Sequence, residues 1–376
     1  MKISKFNLIQ DKESIKATAL VSFEDCSQPE KEIFIKTSKA YAKYFDVNPH
    51  SFLVGCLLPA IHFGEKRIVM DEKICPFLKE GLETAMVILS DWTKGKYRPL
   101  KIESPVMSEI ARIKSPGAGM FMSGGIDSLA ALRLNRLNYP RNNPGYVRDG
   151  FFLHGFDIGG VVERGMKYHV FDRAIESISK ITNDAKLSLI PVYTNIRHLC
   201  DERVLWLNSF FGAVLAAIAH SFSRRMNLVF IGSSYDIPNL HPCGSHPLLD
   251  PEYSSLDLRI RHRDYHLSRI EKIRIVSQWD VAFQNFRVCL ANVPDRLNCG
   301  NCEKCVRTMT ELTALGLLSK TKAFVEDEIT PDHISQFDIT IRVRPPFYRP
   351  LIPLLREQGR DDLAQAIEKQ LRLLSA

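Results

Sequence analysis

The chain has 376 residues, of which 45% are hydrophobic and 25% are charged, and its formal net charge is +7 at pH 7. This composition is that of an ordinary soluble globular protein, and the length allows one large domain with extensions or two to three domains. No early apolar segment follows a basic start, and the apolar run Phe210 to Ala219 is too short to span a bilayer. These features argue against a secreted or membrane-spanning protein and favour the cytoplasm. The positive charge favours anionic ligands and leaves nucleic acid open as a partner.

The first part of the chain, residues 1–114, is predicted to be a separate α+β module. Two segments show the alternation of strands and one shows helical periodicity: Ile15 to Phe23, Glu32 to Lys36 and Cys75 to Trp92. No catalytic group of residues stands out here, so we interpret His50 and His62 as structural and the module as a docking or oligomerisation surface. The segment Ser115-Pro116-Gly117 is the expected junction with the next domain.

The second part, residues 115–318, alternates between strand and helix patterns. Helices are predicted from about Arg164 to Ile181 and along an apolar stripe from Trp206 to Phe222. This alternation predicts an α/β fold with a doubly wound, mostly parallel sheet, whose ligands gather at the carboxyl ends of the strands. The predicted strands are short apolar runs bounded by turn residues: Gly119 to Met122, Phe151 to His154, Leu187 to Val192 and Leu228 to Ile231.

The turn after the first of these strands is predicted to bind phosphate. It reads Met122-Ser123-Gly124-Gly125-Ile126-Asp127-Ser128 and leads into a helix pattern rich in Leu and Ala. Glycines let backbone NH groups turn toward an anion, the helix dipole favours negative charge, and the hydroxyls of Ser123 and Ser128 add donors. Asp127 only accepts hydrogen bonds, so its predicted role is to hold Mg²⁺ against the phosphates. The alternative is a Gly-rich turn with a helix cap.

The motif lacks the lysine and the spacing of a Walker loop. Ser-Gly-Gly-x-Asp-Ser resembles the PP-loop of the N-type ATP pyrophosphatases, which cleave ATP to AMP and pyrophosphate. The resemblance implies an adenine nucleotide α-hydrolase-like fold, with Ser123, Asp127 and Ser128 in catalysis. It also implies that the loop residues bind ATP: Met122, Ser123, Gly124, Gly125, Asp127 and Ser128.

Two further strand ends are predicted to form walls of the ATP site. His154, Gly155 and Phe156 follow the second strand and would lie beside the adenine, with the Phe156 ring stacked on it. Gly232 and Ser233 follow the fourth strand and would approach the phosphates. The alternative for each is a simple strand-ending turn.

The stretch Tyr235 to Tyr265 is polar, aromatic and rich in turn-forming residues. A loop of this length without regular structure tends to be functional, so it is the candidate lid over the acceptor substrate. Surface roles are the alternative for its residues. Those that could orient a substrate or bind magnesium are Asp236, His241, Ser245, His246 and Asp250.

A run of cations follows, and Ser268 to Glu271 has the pattern of a capping box that starts a helix. The cations could neutralise ATP and pyrophosphate, or they could form a solvated helix face. They are Arg259, Arg261, Arg263, Arg269, Lys272 and Arg274.

Four of the nine cysteines lie close together, at Cys289, Cys299, Cys302 and Cys305. In a reducing compartment such a cluster indicates a metal more often than disulfides. Four thiolates suit a tetrahedral structural Zn²⁺ without an open position, and an iron-sulfur cluster is the alternative. The spacing predicts a zinc knuckle that stabilises the fold and performs no chemistry.

A PP-loop followed by such a cysteine cluster is similar to the 7-cyano-7-deazaguanine synthase (QueC) family, over about residues 117–315. That family adenylates 7-carboxy-7-deazaguanine and adds ammonia to give an amide, which it can dehydrate to a nitrile. The resemblance therefore implies an ATP-dependent C–N ligase with ATP, Mg²⁺ and Zn²⁺, acting on a carboxylate-bearing deazapurine.

The chain departs from a plain QueC protein in its N-terminal module, its loop from His241 to Asp250 and its tail, residues 319–376. The tail is predicted to be a helical extension, with a stripe of Leu363, Ile367 and Leu371. Enlarged QueC-like proteins of anti-phage operons look similar, which implies a protein amine from the same operon as an acceptor in place of ammonia. The tail also carries basic residues among prolines: Arg342, Arg344 and Arg349.

Three other functions remain open. A tRNA-modifying PP-loop enzyme would also adenylate its substrate and would bind RNA in a salt-dependent manner. A ligase for another small carboxylate would release pyrophosphate only with that acid. A nucleotide-binding scaffold would bind ATP without turnover.

Overall fold

A computed structural model describes residues 1–108, 117–341 and 343–372. Its ten strands are β1 Lys2–Gln10, β2 Ser14–Ser22, β3 Lys31–Ser38, β4 Arg67–Val69, β5 Lys101–Glu103, β6 Ala118–Phe121, β7 Val147–His154, β8 Ser188–Thr194, β9 Leu228–Gly232 and β10 Arg259–Arg263. Its α-helices are α1 Pro49–His62, α2 Pro76–Trp92, α3 Ile126–Asn138, α4 Tyr168–Asp184, α5 Arg203–Leu205, α6 Phe211–His220, α7 Arg269–Ser277, α8 Asp280–Asn285, α9 Glu303–Ala314, α10 Pro331–Ser335, α11 Pro345–Tyr348, α12 Leu351–Glu357 and α13 Asp361–Arg372.

All described strands join one sheet, in the order β10-β9-β6-β7-β8-β3-β2-β1-β4-β5. The strands from β10 to β8 are parallel, β8, β3, β2 and β1 pair in antiparallel fashion, and β1, β4 and β5 are parallel. The fold is therefore α/β with a mostly parallel sheet. The pairing of β3 with β8, which sets Ile35 opposite Thr194, continues the sheet from the N-terminal part into the central part.

Alternate side chains of β9 enter two different hydrophobic cores, as strand geometry requires. On β9, Val229 and Ile231 belong to the core that contains α1 and α6, whereas Phe230 belongs to the core that contains α3 and α9. The C-terminal helices extend the second core. The prediction of an apolar stripe is confirmed, because Leu363, Ile367 and Leu371 are all buried there.

A continuous helical stretch, Arg203–His220, consists of α5, a π-turn at Trp206–Phe210 and α6. Its 18 residues are long and apolar enough to cross a membrane, but 72% of the stretch is buried inside the protein. Burial of this extent is that of a core helix. It packs against α1 beneath the sheet.

Most predicted elements of the central part are confirmed with shifted ends. The helix predicted from Arg164 begins at Tyr168, because Gly165 has a φ of +68° that a helix does not accommodate. The long loop prediction was wrong at its end, since Arg259–Arg263 forms β10 at the sheet edge. Strand β1 and helix α1 had not been predicted. The predicted junction residues Ser115 and Pro116, the predicted boundary at residue 114 and Arg342 lie outside the described residues.

Candidate functional site

The turn between β6 and α3 has the shape of an anion-binding loop. Gly124 has a φ of +73°, in the left-handed region that favours glycine, and Gly125 is the N-cap of α3. A Cβ atom at Gly124 would lie 2.9 Å from Cδ1 of Ile178, so a side chain there would require Ile178 to shift. The free NH groups of the first turn of α3 therefore stand at the carboxyl end of a central strand.

Two hydroxyl groups brace this loop. The Ser128 hydroxyl donates to the carbonyl oxygen of Gly125 at 3.0 Å, and the Gly125 NH donates to the Ser123 hydroxyl at 3.2 Å. The two hydroxyl oxygens lie 3.2 Å apart. Ser123 is exposed and Ser128 is buried, so Ser123 is the hydroxyl that an entering anion meets first.

Two cations from α7 approach the carboxylate of Asp127. Its Oδ1 lies 3.2 Å from Nη1 of Arg269 and 3.9 Å from Nζ of Lys272. The buried carboxylate of Glu311, on α9, binds the other side of the Arg269 guanidinium at 3.2 Å. Burial lowers the pKa of Lys272, which the carboxylate of Asp127 partly offsets. The two cations are thus held beside the loop that joins β6 to α3.

The end of β9 completes this wall. A Cβ atom at Gly232 would lie 3.1 Å from the backbone oxygen of Asp127, which shows how closely the two chain segments approach. Lys272 donates to the carbonyl oxygen of Ser233 at 2.6 Å, and the Ser233 NH donates to the carbonyl oxygen of Arg263 at 2.8 Å. Gly232 and Ser233 therefore lie beside the loop, as the strand-end argument predicts.

The remaining cations of the run point elsewhere. Arg259 and Arg261 are exposed on the edge strand β10, and Arg274 is exposed on α7. Arg263 lies over the rings of Tyr139 and Phe230, with centroid distances of 5.4 and 4.8 Å. The cationic run therefore divides into two residues at the loop and four away from it.

The segment after β7 is held by packing. His154 is fully buried and stacks on Tyr168 at 4.7 Å, and burial lowers its pKa to about 4. The Phe156 ring packs edge-to-face on Trp206 at 4.8 Å, and its carbonyl accepts from Arg197 at 3.0 Å. Gly155 has a φ of +107° and no room for a Cβ atom beside Thr194. Roles of these residues toward adenine stay a prediction.

Three of the predicted substrate residues, Ser245, His246 and Asp250, meet His262 in one buried polar cluster. We call these four residues the acceptor cluster. The Asp250 carboxylate accepts from the Ser245 hydroxyl at 2.6 Å and lies 2.8 Å from Nδ1 of His262. The backbone NH of His246 also donates to Asp250, at 3.2 Å. Nε2 of His262 is buried without a partner among the described residues. An aspartate thus fixes the imidazole through one nitrogen and leaves the other free.

The π-turn anchors this cluster to the core. Gly244 donates to the Leu207 carbonyl at 2.9 Å, and Gly212 donates to the Gly244 carbonyl at 2.7 Å. A Cβ atom at Gly212 would lie 2.9 Å from Oδ1 of Asp250. A π-turn in an otherwise α-helical stretch often marks a functional site, and here it frees a carbonyl for the loop.

Asp236 and His241 do not join the acceptor cluster. Asp236 accepts from the side chain of Asn239 at 2.5 Å, and Nδ1 of His241 lies 2.8 Å from the Asn239 carbonyl oxygen. The His241 ring packs on Tyr235 at 4.3 Å, and Tyr235 in turn packs on Phe347 at 5.6 Å. His241 therefore connects the loop, through Tyr235, with the C-terminal extension, whereas Asp236 contacts Asn239 within the loop.

The four clustered cysteines converge on one point. Their sulfur atoms all lie within 4.8 Å of one another, with Cys299 to Cys305 at 3.9 Å and Cys289 to Cys302 at 4.0 Å. Tetrahedral Zn–S bonds of about 2.3 Å would separate the sulfurs by about 3.8 Å, whereas a disulfide needs about 2 Å. Cys302 is the N-cap of α9, where the dipole favours a thiolate. The cluster could hold a metal such as zinc.

Hydrogen bonds connect the cysteine cluster with the loop between β6 and α3. The backbone NH of Arg287 donates to the Gly124 carbonyl at 2.8 Å, and Cys289 follows two residues later. The buried side chain of Asn298 accepts from the NH of Val288 at 2.8 Å and so joins this segment to the knuckle. A metal bound by the cysteines would therefore hold in place the segment that contacts Gly124.

Three residues of the site have no distinguishing sequence signal. His262 lies in an alternating run of arginines, Glu311 in an ordinary helix, and Arg287 in an irregular segment. Only burial reveals Glu311, whose side chain is inaccessible beside Arg269. Charged residues buried to this degree are uncommon unless paired, so burial in the structure, and not a sequence pattern, marks Glu311.

Comparison of the chain with family models, with curated proteins and with solved structures gives no match.

Proposed function

We propose that the protein is an ATP-dependent C–N ligase of the QueC type, which adenylates a carboxylate and transfers the acyl group to an amine. The proposal is supported above all by the loop from Ser123 to Ser128, whose donors face the N-terminus of α3 beside two fixed cations. Such a corner suits a triphosphate, because backbone dipoles and cations both act on its negative charge.

Each group has an assigned part in the first step. The NH groups and the Ser123 hydroxyl bind the phosphate tail, and Asp127 is the residue that would hold Mg²⁺. A carboxylate oxygen attacks the α-phosphorus, the bond to the β-phosphate breaks, and pyrophosphate leaves. Arg269 and Lys272, which pair with Asp127, would stabilise the charge on the departing pyrophosphate if a metal ion took their place at that carboxylate.

The acceptor cluster supports the second step. The amine attacks the acyl carbon, AMP leaves, and the nitrogen loses a proton that a base must accept. His262, oriented by Asp250, has the free imidazole nitrogen that this role requires. That nitrogen is buried, so the residues around it must shift before a substrate can reach it. The best-supported acid is 7-carboxy-7-deazaguanine, on the resemblance of the motifs, with ammonia or a protein amine as acceptor.

The direct test supplies ATP, Mg²⁺ and 7-carboxy-7-deazaguanine with ammonia, and measures pyrophosphate and the acyl product by mass spectrometry. We expect release of pyrophosphate that depends on the acid, and a loss of at least about 100-fold in Asp127→Asn. Arg274→Ala, an exposed change on α7, is the matched control. Equal turnover in Asp127→Asn and the wild type would overturn the site. Release of pyrophosphate only when tRNA is added would identify tRNA, and not the deazaguanine, as the substrate.

A further inference from the structure

A second group of metal-binding side chains lies where the N-terminal part contacts the central part. His62 is the last residue of α1, and Cys200 and Glu202 follow β8 after a 3₁₀ turn at Ile196–Leu199. The donor atoms of His62, Cys200 and Glu202 all lie within 4.8 Å of one another, and Nε2 of His62 is 3.0 Å from Oε2 of Glu202.

The three donors form a set that a zinc-class cation prefers. Imidazole nitrogen, thiolate sulfur and carboxylate oxygen bind Zn²⁺ at about 2.0 to 2.3 Å, which sets neighbouring donors about 3.3 to 3.8 Å apart. The three donor atoms lie within 4.8 Å of one another, so the group is compact enough for one cation to contact all three. Cys200 is buried, whereas the Glu202 side chain is 45% exposed, so one side of the site opens to solvent.

The imidazole of His62 is already oriented for a cation. Its Nδ1 lies 3.3 Å from the hydroxyl oxygen of the buried Tyr97, and its Nε2 faces Glu202. A hydrogen bond from Nδ1–H to an oxygen is the usual support of a metal-binding histidine.

We propose that His62, Cys200 and Glu202 form a second metal site for a zinc-class divalent cation, with three protein ligands and an open fourth position. The cation replaces the ion pair of His62 with Glu202 and displaces the proton of the Cys200 thiol. Unlike the closed site of four cysteines, this site retains a position for water or a ligand.

The location gives the site a clamping role. It joins the end of α1 to the segment that carries Asp201, whose carboxylate accepts from Arg197 at 2.7 Å and from the NH of Val162 at 2.9 Å. Arg197 in turn holds the Phe156 carbonyl. A cation at this point therefore fixes the N-terminal part against the loop that follows β7.

The test is the metal content of the full-length protein after equilibration with zinc and removal of free ions, measured by plasma mass spectrometry. We expect two zinc ions per chain in the wild type and one in His62→Gln, Cys200→Ser and Glu202→Gln. Cys26→Ser, a partly buried cysteine outside both groups, should retain two. Glu202 is exposed enough that its variant separates metal loss from misfolding.

Affinity gives a second readout. Tyr97→Phe leaves all three ligands in place but removes the hydrogen bond to His62, so we expect binding of the second zinc to weaken about tenfold in competition with a chromophoric chelator. One zinc per wild-type chain at saturating zinc, or two in Cys200→Ser and Glu202→Gln, would overturn the proposal. Unchanged affinity in Tyr97→Phe would contradict the assigned orientation of His62.

Discussion

The loop from Met122 to Ser128 and the acceptor cluster differ in how the chain builds them. The loop is seven consecutive residues, Met122 to Ser128, whose backbone geometry is set by two glycines and a helix start. The acceptor cluster joins Ser245, Asp250 and His262 across seventeen positions and depends on a π-turn for its anchor. A short motif is thus enough to specify the local geometry of the loop. The acceptor cluster depends on tertiary packing that no single segment specifies.

The largest expected effect comes from the four-cysteine cluster, because Arg287, two residues before Cys289, donates to the Gly124 carbonyl oxygen. In Cys305→Ser, the segment of Arg287 loses its anchor and the closed site loses a ligand, so we expect loss of one bound zinc and of ATP binding. Because structural zinc contributes about 10 kcal/mol or more to folding in small domains, the thermal midpoint should fall as well. Scanning calorimetry measures the thermal midpoint of unfolding, and titration calorimetry measures the binding of ATP.

Cys26→Ser is the control for this variant. If Cys305→Ser retained the wild-type midpoint and ATP affinity, the knuckle would not support the loop.

The next effect concerns the loop backbone. Ala at Gly124 must adopt a positive φ, at about 1 to 2 kcal/mol, and its Cβ atom would contact Ile178. We expect Gly124→Ala to slow pyrophosphate release about 100-fold, and Ile178→Val to restore part of that rate in the double variant. Steady-state kinetics of pyrophosphate formation measure the rates of the single and the double variant.

Gly359→Ala is the matched control, because Gly359 has a φ of +70° and a Cβ atom added there would meet nothing within 4 Å. It should lower stability by a similar amount and leave the rate unchanged. Equal rates in both alanine variants would mean that the shape of the loop is not required.

A change in the acceptor cluster should impair a different step of the reaction, the formation of the amide. His262→Gln removes the free imidazole nitrogen, so amide formation should fall about 100-fold while exchange of pyrophosphate into ATP is retained. His241→Gln, whose ring packs on Tyr235, should leave both reactions within about threefold, since it does not touch Asp250. Isotope exchange and product analysis on the same samples separate the steps. Loss of both steps in His262→Gln would remove the distinction between the two regions.

The smallest expected effect tests whether the cations beside the loop matter more for the reaction than those that lie away from it. Arg261→Ala removes an exposed charge on β10 and should change the rate of pyrophosphate release by less than about twofold. Lys272→Met removes a buried amine that donates to Ser233 and should reduce the same rate at least tenfold. Similar losses in both variants would indicate that general surface charge, and not position, binds the nucleotide.

The same contrast explains what the sequence could predict. The strands β6, β7, β8 and β9, the capping box of Ser268 with Glu271, and the cysteine cluster all depend on local patterns and were predicted. Strand β10 was missed, because its arginines and His262 hide the alternation of Ile260 with its neighbours. The ion pair of Arg269 with Glu311 joins residues 42 positions apart, so only the packed structure reveals it.

The central claim is that a nucleotide's phosphates are bound at the N-terminus of α3. A crystal structure of the protein with Mg²⁺ and a non-hydrolysable ATP analogue tests it most directly. We expect phosphate oxygens within about 3 Å of the Gly125 NH and the Ser123 hydroxyl, with Asp127 turned from Arg269 toward the metal ion. An analogue bound elsewhere on the protein, with Asp127 still paired to Arg269, would contradict the account.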